Sequence, residues 1–210
     1  DRRGGFELVR RDRYLLLIGV LLLLLNFVNT NGEFLLGRVV SGEANRLIAA
    51  GANGALAPDA FRGRFIGGFY AEYFTWVNVV AAFVQLFLVS RIMQRFGVRV
   101  ALWVLPIVAF GGYALLAFAP VLALVRVAKV GENALDYSLH NTARQALFLP
   151  TSREVKYQGK AAVDTLFVRA GDLLSAGVVF AGGLLSLALR DFALVNLVLI
   201  AVWLLVVAAL

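Results

Sequence analysis

Arg126, Lys129, Glu132, Asn133, Asp136, His140, Asn141 and Arg144 recur at close intervals in a stretch that is otherwise apolar. At about 100° per residue the ionisable members fall within roughly a third of a helix circumference. From Arg126 to Arg144 the ribbon climbs about 27 Å, close to the full thickness of a bilayer's hydrocarbon. Charges at that depth are costly and are retained where they face protein or water. Two kinds of chemistry suit such a ribbon. It lines a wet path that offsets the charge of a polar solute, or it seals two helices with ion pairs, Lys129–Glu132 and Asp136–His140 being at pairing distance. A cavity is the expectation, because a mere seal has little use for a stripe of full height.

Other polar groups sit where apolar ones would be cheaper. Asn26, Asn29, Thr30 and Glu33 share one helical face, and Asn31 points elsewhere. With Gly32 beside them, either the helix unwinds there and offers backbone groups to a ligand, or the amides make inter-helix hydrogen bonds. Arg169 and Asp172, three residues apart, read as an internal ion pair more than as a binding site. Ser175, Gly177, Gly182 and Gly183 read as a small-residue packing surface, and Glu72, Tyr73 and Gln85 as helix-contact groups. No Ser–His–Asp spacing, phosphate-cradling glycine loop or zinc motif is present, so an enzyme is not expected. With no cysteine and His140 as the single histidine, neither a metal site nor a cofactor is expected.

The elements that must position these residues follow from composition. The chain has 210 residues, 61% hydrophobic and only 16% charged, with a mean hydropathy of +0.83. That is far more apolar than a soluble domain and identifies an all-α integral membrane protein. Six stretches are long enough to span: Tyr14–Leu36, Ile66–Val89, Val98–Ala119, Val121–Leu147, Val163–Leu189 and Phe192 to the end. Pro106 and Gly111–Gly112 are expected to bend the third; Pro120 joins the third and fourth almost without a loop, and Arg190–Asp191 mark the turn between the last two. Residues 37–65 form the one long external connection, with a short interfacial helix or a plain loop over Asn45–Leu56. Residues 1–13 are a cytoplasmic N-terminal segment, and 14–210 a six-helix bundle.

Basic residues set the orientation. Arg2, Arg3, Arg10, Arg11, Arg13, Arg91, Arg95, Arg99, Arg153, Lys156 and Lys160 fall on one side, against Arg38, Arg46, Arg62, Arg64 and Arg190 on the other. The excess places the N-terminus in the cytoplasm. This scatter between spans gives the net charge of +7 a topological use and argues against a nucleic-acid partner. Asp1 at the start and Leu210 inside an apolar run suggest a piece of a longer chain.

Two segments resemble known families. Ser90-Arg91-Ile92-Met93-Gln94-Arg95-Phe96-Gly97-Val98-Arg99 is similar to the basic loop after the second span of each half of major facilitator superfamily transporters. Residues 129–150, from Lys129-Val130-Gly131-Glu132-Asn133 to Phe148-Leu149-Pro150, resemble the nucleotide (ATP/ADP) translocase family. So does the continuation to Asp164-Thr165, with Arg169, Gly171 and Asp172. His140 departs from the pattern, which has an amide such as Gln there.

The resemblance implies one six-helix half of a twelve-helix antiporter, here the C-terminal one, in a bacterial inner membrane. Its substrate would be a nucleotide or other phosphorylated anion, and its partners the bilayer and the missing N-terminal half. Arg126, Lys129 and Arg144 would offset phosphate, Glu132 and Asp136 would hold those cations when the site is empty, and Asn133 and Asn141 would donate hydrogen bonds. The Arg91, Arg95 and Arg99 loop would latch the cytoplasmic side. The internal charges are nearly balanced, which a proton-coupled or zwitterionic substrate fits equally well. The alternative is a transporter-derived structural subunit, bound to other membrane subunits and without transport activity.

Overall fold

A computed structural model describes residues 9–152 and 155–210; Arg2, Arg3, the expected segment as far as residue 8, and Arg153 lie outside the described residues. What is described is helical, with no strand.

Helix α1, Arg13–Ala49, starts where the Asp12 carboxylate accepts the Tyr14 and Leu15 N–H groups at 2.8 and 3.4 Å. α2, Pro58–Phe83, opens on a proline whose missing N–H costs nothing at a first helical position. A π turn, Val84–Leu88, carries it into α3, Val89–Phe118. α4, Leu122–Leu135, continues through the π turn Asp136–His140 into α5, Asn141–Ala146. After the π turn Val155–Gly159 come α6, Lys160–Ala162, a further π turn, Val163–Phe167, and α7, Val168–Leu184. α8, Leu189–Ala209, closes the chain.

Four of these helical stretches are long and apolar enough to cross a membrane: Arg13–Ala49, Val89–Phe118, Lys160–Leu184 and Leu189–Ala209. The chain is an all-α membrane bundle. The two other rods expected to span, Pro58 to Leu88 and Leu122 to Ala146, hold Glu72 and the charged ribbon and do not meet that standard.

Several boundaries differ from the sequence reading. The expected connection at 37–65 is helical to Ala49 and again from Pro58, leaving 50–57 as the link. Neither an isolated interfacial helix nor a plain loop forms: burial of Val40 and Ala44 against the bundle carries the helix through the weak helix formers Gly37, Val39 and Gly42, and the Glu43–Arg46 pair at 2.6 Å supports the extra turns. At 37 residues α1 is about 55 Å long, against roughly 30 Å of hydrocarbon, so it projects beyond the bilayer.

The basic loop at 90–99 is also mostly helix. Arg91 and Arg95 extend the α2 rod, and the break is a single residue, Gly97, with φ 78° and ψ 172°. Only glycine takes that conformation cheaply. Pro106 and Gly111–Gly112 keep helical dihedrals. The last turn is Leu185–Ala188; Arg190 and Asp191 belong to α8, where the Asp191 carboxylate accepts the Ala188 N–H at 2.9 Å.

α1 is the hub, packing on α2, α4, α7 and α8, while α3 packs on α8 and α4, and α2 on α4. A methyl group on Gly171 would lie 2.6 Å from the Leu23 carbonyl oxygen, so this glycine permits the close approach of α7 to α1. Gly182 does the same for the Phe192 ring, at 2.3 Å, whereas Gly177 and Gly183 face open space.

The amide pair that crosses the bundle is Asn31 Nδ2 donating to Asn196 Oδ1 at 2.7 Å, with Asn196 Nδ2 donating to the Val28 carbonyl at 3.2 Å. Both residues are fully buried. Asn196→Ala strands the Asn31 donor, so unfolding in detergent should show a loss of about 1–2 kcal/mol. Asn31→Leu in the same chain should recover part of it, and a double variant no more stable than Asn196→Ala would count against the pair.

Candidate functional site

The charged ribbon divides into three environments. At its centre Lys129, with a side chain 7% exposed, donates to Glu132 Oε1 at 3.0 Å and lies 3.9 Å from Glu33 Oε1 of α1. Its Nζ is also 3.5 Å from Tyr113 Oη of α3. That hydroxyl lies 3.1 Å from the Val28 carbonyl oxygen and 3.4 Å from Glu132 Oε1. Asn133 Nδ2 donates both to Glu33 Oε1 at 3.0 Å and to Tyr73 Oη of α2 at 2.8 Å. One cation therefore sits between two carboxylates, tied by two tyrosines and an amide from four helices.

The packing here is tight. Gly32 lets Tyr113 and Lys129 reach α1, and the void beside Gly32, Lys129 and Glu132 holds only about 10 Å³. Within this chain the centre of the ribbon is thus a sealed ion-pair junction, not the wet cavity expected. Gly32 does not unwind α1, which is helical from Arg13 to Ala49. Of the two readings of the Asn-rich face, inter-helix hydrogen bonding is the one seen, made by the residue that pointed away, Asn31. Asn26 Nδ2 instead donates back to the Leu22 carbonyl, and Thr30 Oγ1 donates to Asp172 Oδ1 at 3.0 Å.

Towards the Pro120 end the ribbon opens. Arg126 Nη1 forms an ion pair with Glu72 Oε2 of α2 at 2.9 Å, and its guanidinium lies over the Phe69 ring at 5.8 Å. It lines an open groove of about 880 Å³ with Arg46, Arg64, Glu43 and Glu72.

Towards the other end the residues scatter. Asp136 is half-buried and lines a void of about 10 Å³ with Asn29, Glu132 and Trp203. His140 is buried edge-on against the Trp203 ring, 5.7 Å between centroids, and neither ring nitrogen has a hydrogen-bond partner. The expected Asp136–His140 pair is therefore not formed. Asn141 is exposed and accepts from Arg144 Nη2 at 3.1 Å. The Asp136–His140 π turn explains the scatter: an extra residue in one turn rotates everything beyond it by about one residue's advance, roughly 100°, from the places an ideal helix assigns.

Arg169 and Asp172 approach to 3.6 Å, but Arg169 is 78% exposed, so this pair is not internal to the chain. Arg91 and Arg95 lie at the far end of the α2 rod, and Arg99, just past Gly97, donates to the Ala208 carbonyl at 3.1 Å. Sequence reasoning missed Tyr113 and Asn196, and it placed Asn31 away from the shared polar face without giving it a partner. The available signal was a phenol and amides in mid-span, where such groups need a partner. Arg46 and Arg64 were read only for topology.

Comparison with known proteins adds an independent line. The sequence model of the TLC ATP/ADP transporter family matches residues 112–210. The chain is 27% identical over 161 residues to ADP,ATP carrier protein 1 of Chlamydia muridarum, covering 65% of this chain and 30% of that protein. Its counterpart in Chlamydia trachomatis is also 27% identical, and that of Chlamydia pneumoniae 24%, over 161 residues each. The chain thus spans about a third of the length of the curated relatives it matches. No solved structure matches it. The matched region runs from before Tyr113 through the whole ribbon to α8, and over these residues the chain is similar to the TLC ATP/ADP transporter family.

Proposed function

We propose that this chain is the membrane-embedded half of a carrier that exchanges nucleotides or closely related phosphorylated anions. The observation that carries the reading is that the family match covers the segment holding Arg126, Lys129 and Arg144. A polyphosphate in a low-dielectric passage needs several cations, and these three side chains occupy different depths of one rod. Arg126 stands at an open groove, where phosphate reaches it from water. Lys129 is held by Glu132 of its own helix and by Glu33 of α1, and a shift of α1 against α4 would release the Glu33 contact.

That geometry suits alternating access, in which this half rocks against a second, N-terminal half and the Lys129 junction is remade once per cycle. The polar face left open on α1 and α7, including Thr30, Glu33, Asp172 and Arg169, supports a partner there, because such groups are costly against lipid. By the basic-residue excess, the N-terminus and the Arg91, Arg95 and Arg99 end face the cytoplasm of a bacterial inner membrane.

The test is uptake of labelled ATP by the complete protein in liposomes loaded with ADP. Uptake that requires internal ADP is expected, and Arg126→Ala should lower uptake at limiting ATP by about tenfold, the worth of one charge-assisted contact to phosphate. Uptake no greater than in empty liposomes would refute the reading and favour a structural subunit.

A further inference from the structure

The groove at the Pro120 end adds to Arg126 of the ribbon two arginines that the ribbon does not include, Arg46 and Arg64. Three guanidinium groups from three helices line it: Arg46 near the end of α1, Arg64 in the first turns of α2 and Arg126 in α4. Two carboxylates, Glu43 and Glu72, line it as well, leaving an excess of one positive charge. At about 880 Å³ it falls in the size range of small-molecule sites and is much larger than the voids beside Lys129.

The pairing pattern distinguishes this groove from the centre of the bundle. Arg46 is engaged by Glu43 through two contacts, at 2.9 and 2.6 Å, yet its side chain is 74% exposed. Arg126 is engaged by Glu72, whose side chain is 62% exposed. Ion pairs this open to water are worth little, about 0–1 kcal/mol, and yield readily to a better anion. Arg64 is exposed and makes no hydrogen bond or ion pair with the described residues. By contrast, Lys129 and Glu132 are each only 7% exposed, and separating them leaves buried charge behind. Anion-binding capacity therefore lies at the mouth, and the locked pair lies behind it.

We propose that Arg64, with Arg46 and Arg126, forms a polyphosphate-binding subsite in this groove, separate from the Lys129 junction, that collects the anion before any movement of the bundle. Guanidinium forks match phosphate oxygens in pairs, and a chain of two or three phosphates can bridge groups on three helices where a single phosphate cannot. Glu43 and Glu72 act as placeholders, neutralising Arg46 and Arg126 when the groove is empty. The ring of Phe69 fixes Arg126 from behind. As a station on a transport route the subsite rests on the carrier reading above; as a binding site it does not.

The experiment measures calorimetric binding of inorganic tripolyphosphate and of ATP to the complete protein, in the wild type and in Arg64→Ala, Arg64→Lys and Arg62→Ala. Arg62 is the control: it is nearby on α2 and removes the same charge, but it bonds Asn45 and Asp59 and does not line the groove. Arg64→Ala should weaken both ligands about tenfold, Arg64→Lys less, and Arg62→Ala little. Equal losses at Arg62 and Arg64 would reduce the effect to general surface charge, and unchanged binding in Arg64→Ala, or weakened binding of ATP alone, would overturn the subsite. If tripolyphosphate binds through Arg64 but the protein moves no nucleotide, the carrier reading fails and the subsite stands. If exchange proceeds while Arg64→Ala binds normally, only the subsite fails.

Discussion

Lys129→Ala should be the most damaging single change in the chain, lowering stability by about 3–5 kcal/mol, because it leaves Glu132 buried without its cation and removes the charge partner of Glu33. Unfolding in detergent micelles would measure this. Loss of uptake in the same variant would be ambiguous, since a poorly folded carrier transports nothing. The combination Lys129→Met with Glu132→Gln resolves it: the buried charges disappear together, the volumes are nearly kept, and most of the stability should return. If Lys129 also meets substrate during the cycle, nucleotide exchange stays more than about tenfold below wild type despite the recovered fold. A double variant that folds and exchanges at the wild-type rate would reduce the junction to scaffolding.

The second large effect is steric. A methyl group at residue 32 would sit 1.9 Å from Tyr113 Oη and 2.9 Å from Lys129 Nζ. The hydroxyl cannot move freely, because it is also 3.1 Å from the Val28 carbonyl oxygen. Gly32→Ala should therefore cost about 1–3 kcal/mol, the range for forcing an extra carbon into a packed interior. Tyr113→Phe removes the atom in closest conflict and leaves the ring carbon at 3.1 Å as the nearest part of that side chain. In a double-mutant cycle the two changes should couple favourably by roughly 1 kcal/mol. An alanine penalty that is the same with tyrosine or phenylalanine at 113 would show that this contact does not set the α1–α3 distance.

How much of this was legible in the sequence depends on the range of the interaction. The all-helical membrane class follows from long apolar runs, and the Lys129–Glu132 pair follows from local spacing, because residues three apart on a helix are neighbours. The extent of α1 was misjudged because hydropathy marks where a chain leaves the hydrocarbon, not where its helix stops. The ribbon's lower half was misplaced for a different reason: the Asp136–His140 π turn shifts phase, and composition does not announce it. The Asn31–Asn196 pair joins residues 165 apart in sequence, so its partner choice is purely tertiary. The groove was hidden because Arg46, Arg64 and Arg126 belong to separate helices, and only packing brings them to one mouth.

The connections between helices are very unequal in slack. Gly97 alone joins the α2 rod to the rest of α3, three residues join α3 to α4 and four join α7 to α8, whereas 50–57 is an open link with left-handed glycines at Gly51 and Gly54. Foreign sequence spliced in at Gly97 or Ala119 would have to prise apart helices that touch, while the same cargo between Ala52 and Asn53 adds only modest loop-closure entropy. For engineers the molecule thus offers, among its described connections, one natural insertion port. It sits beside the arginine-lined mouth, so a protease site or fluorophore carried there would report directly on which face of the bilayer that mouth opens.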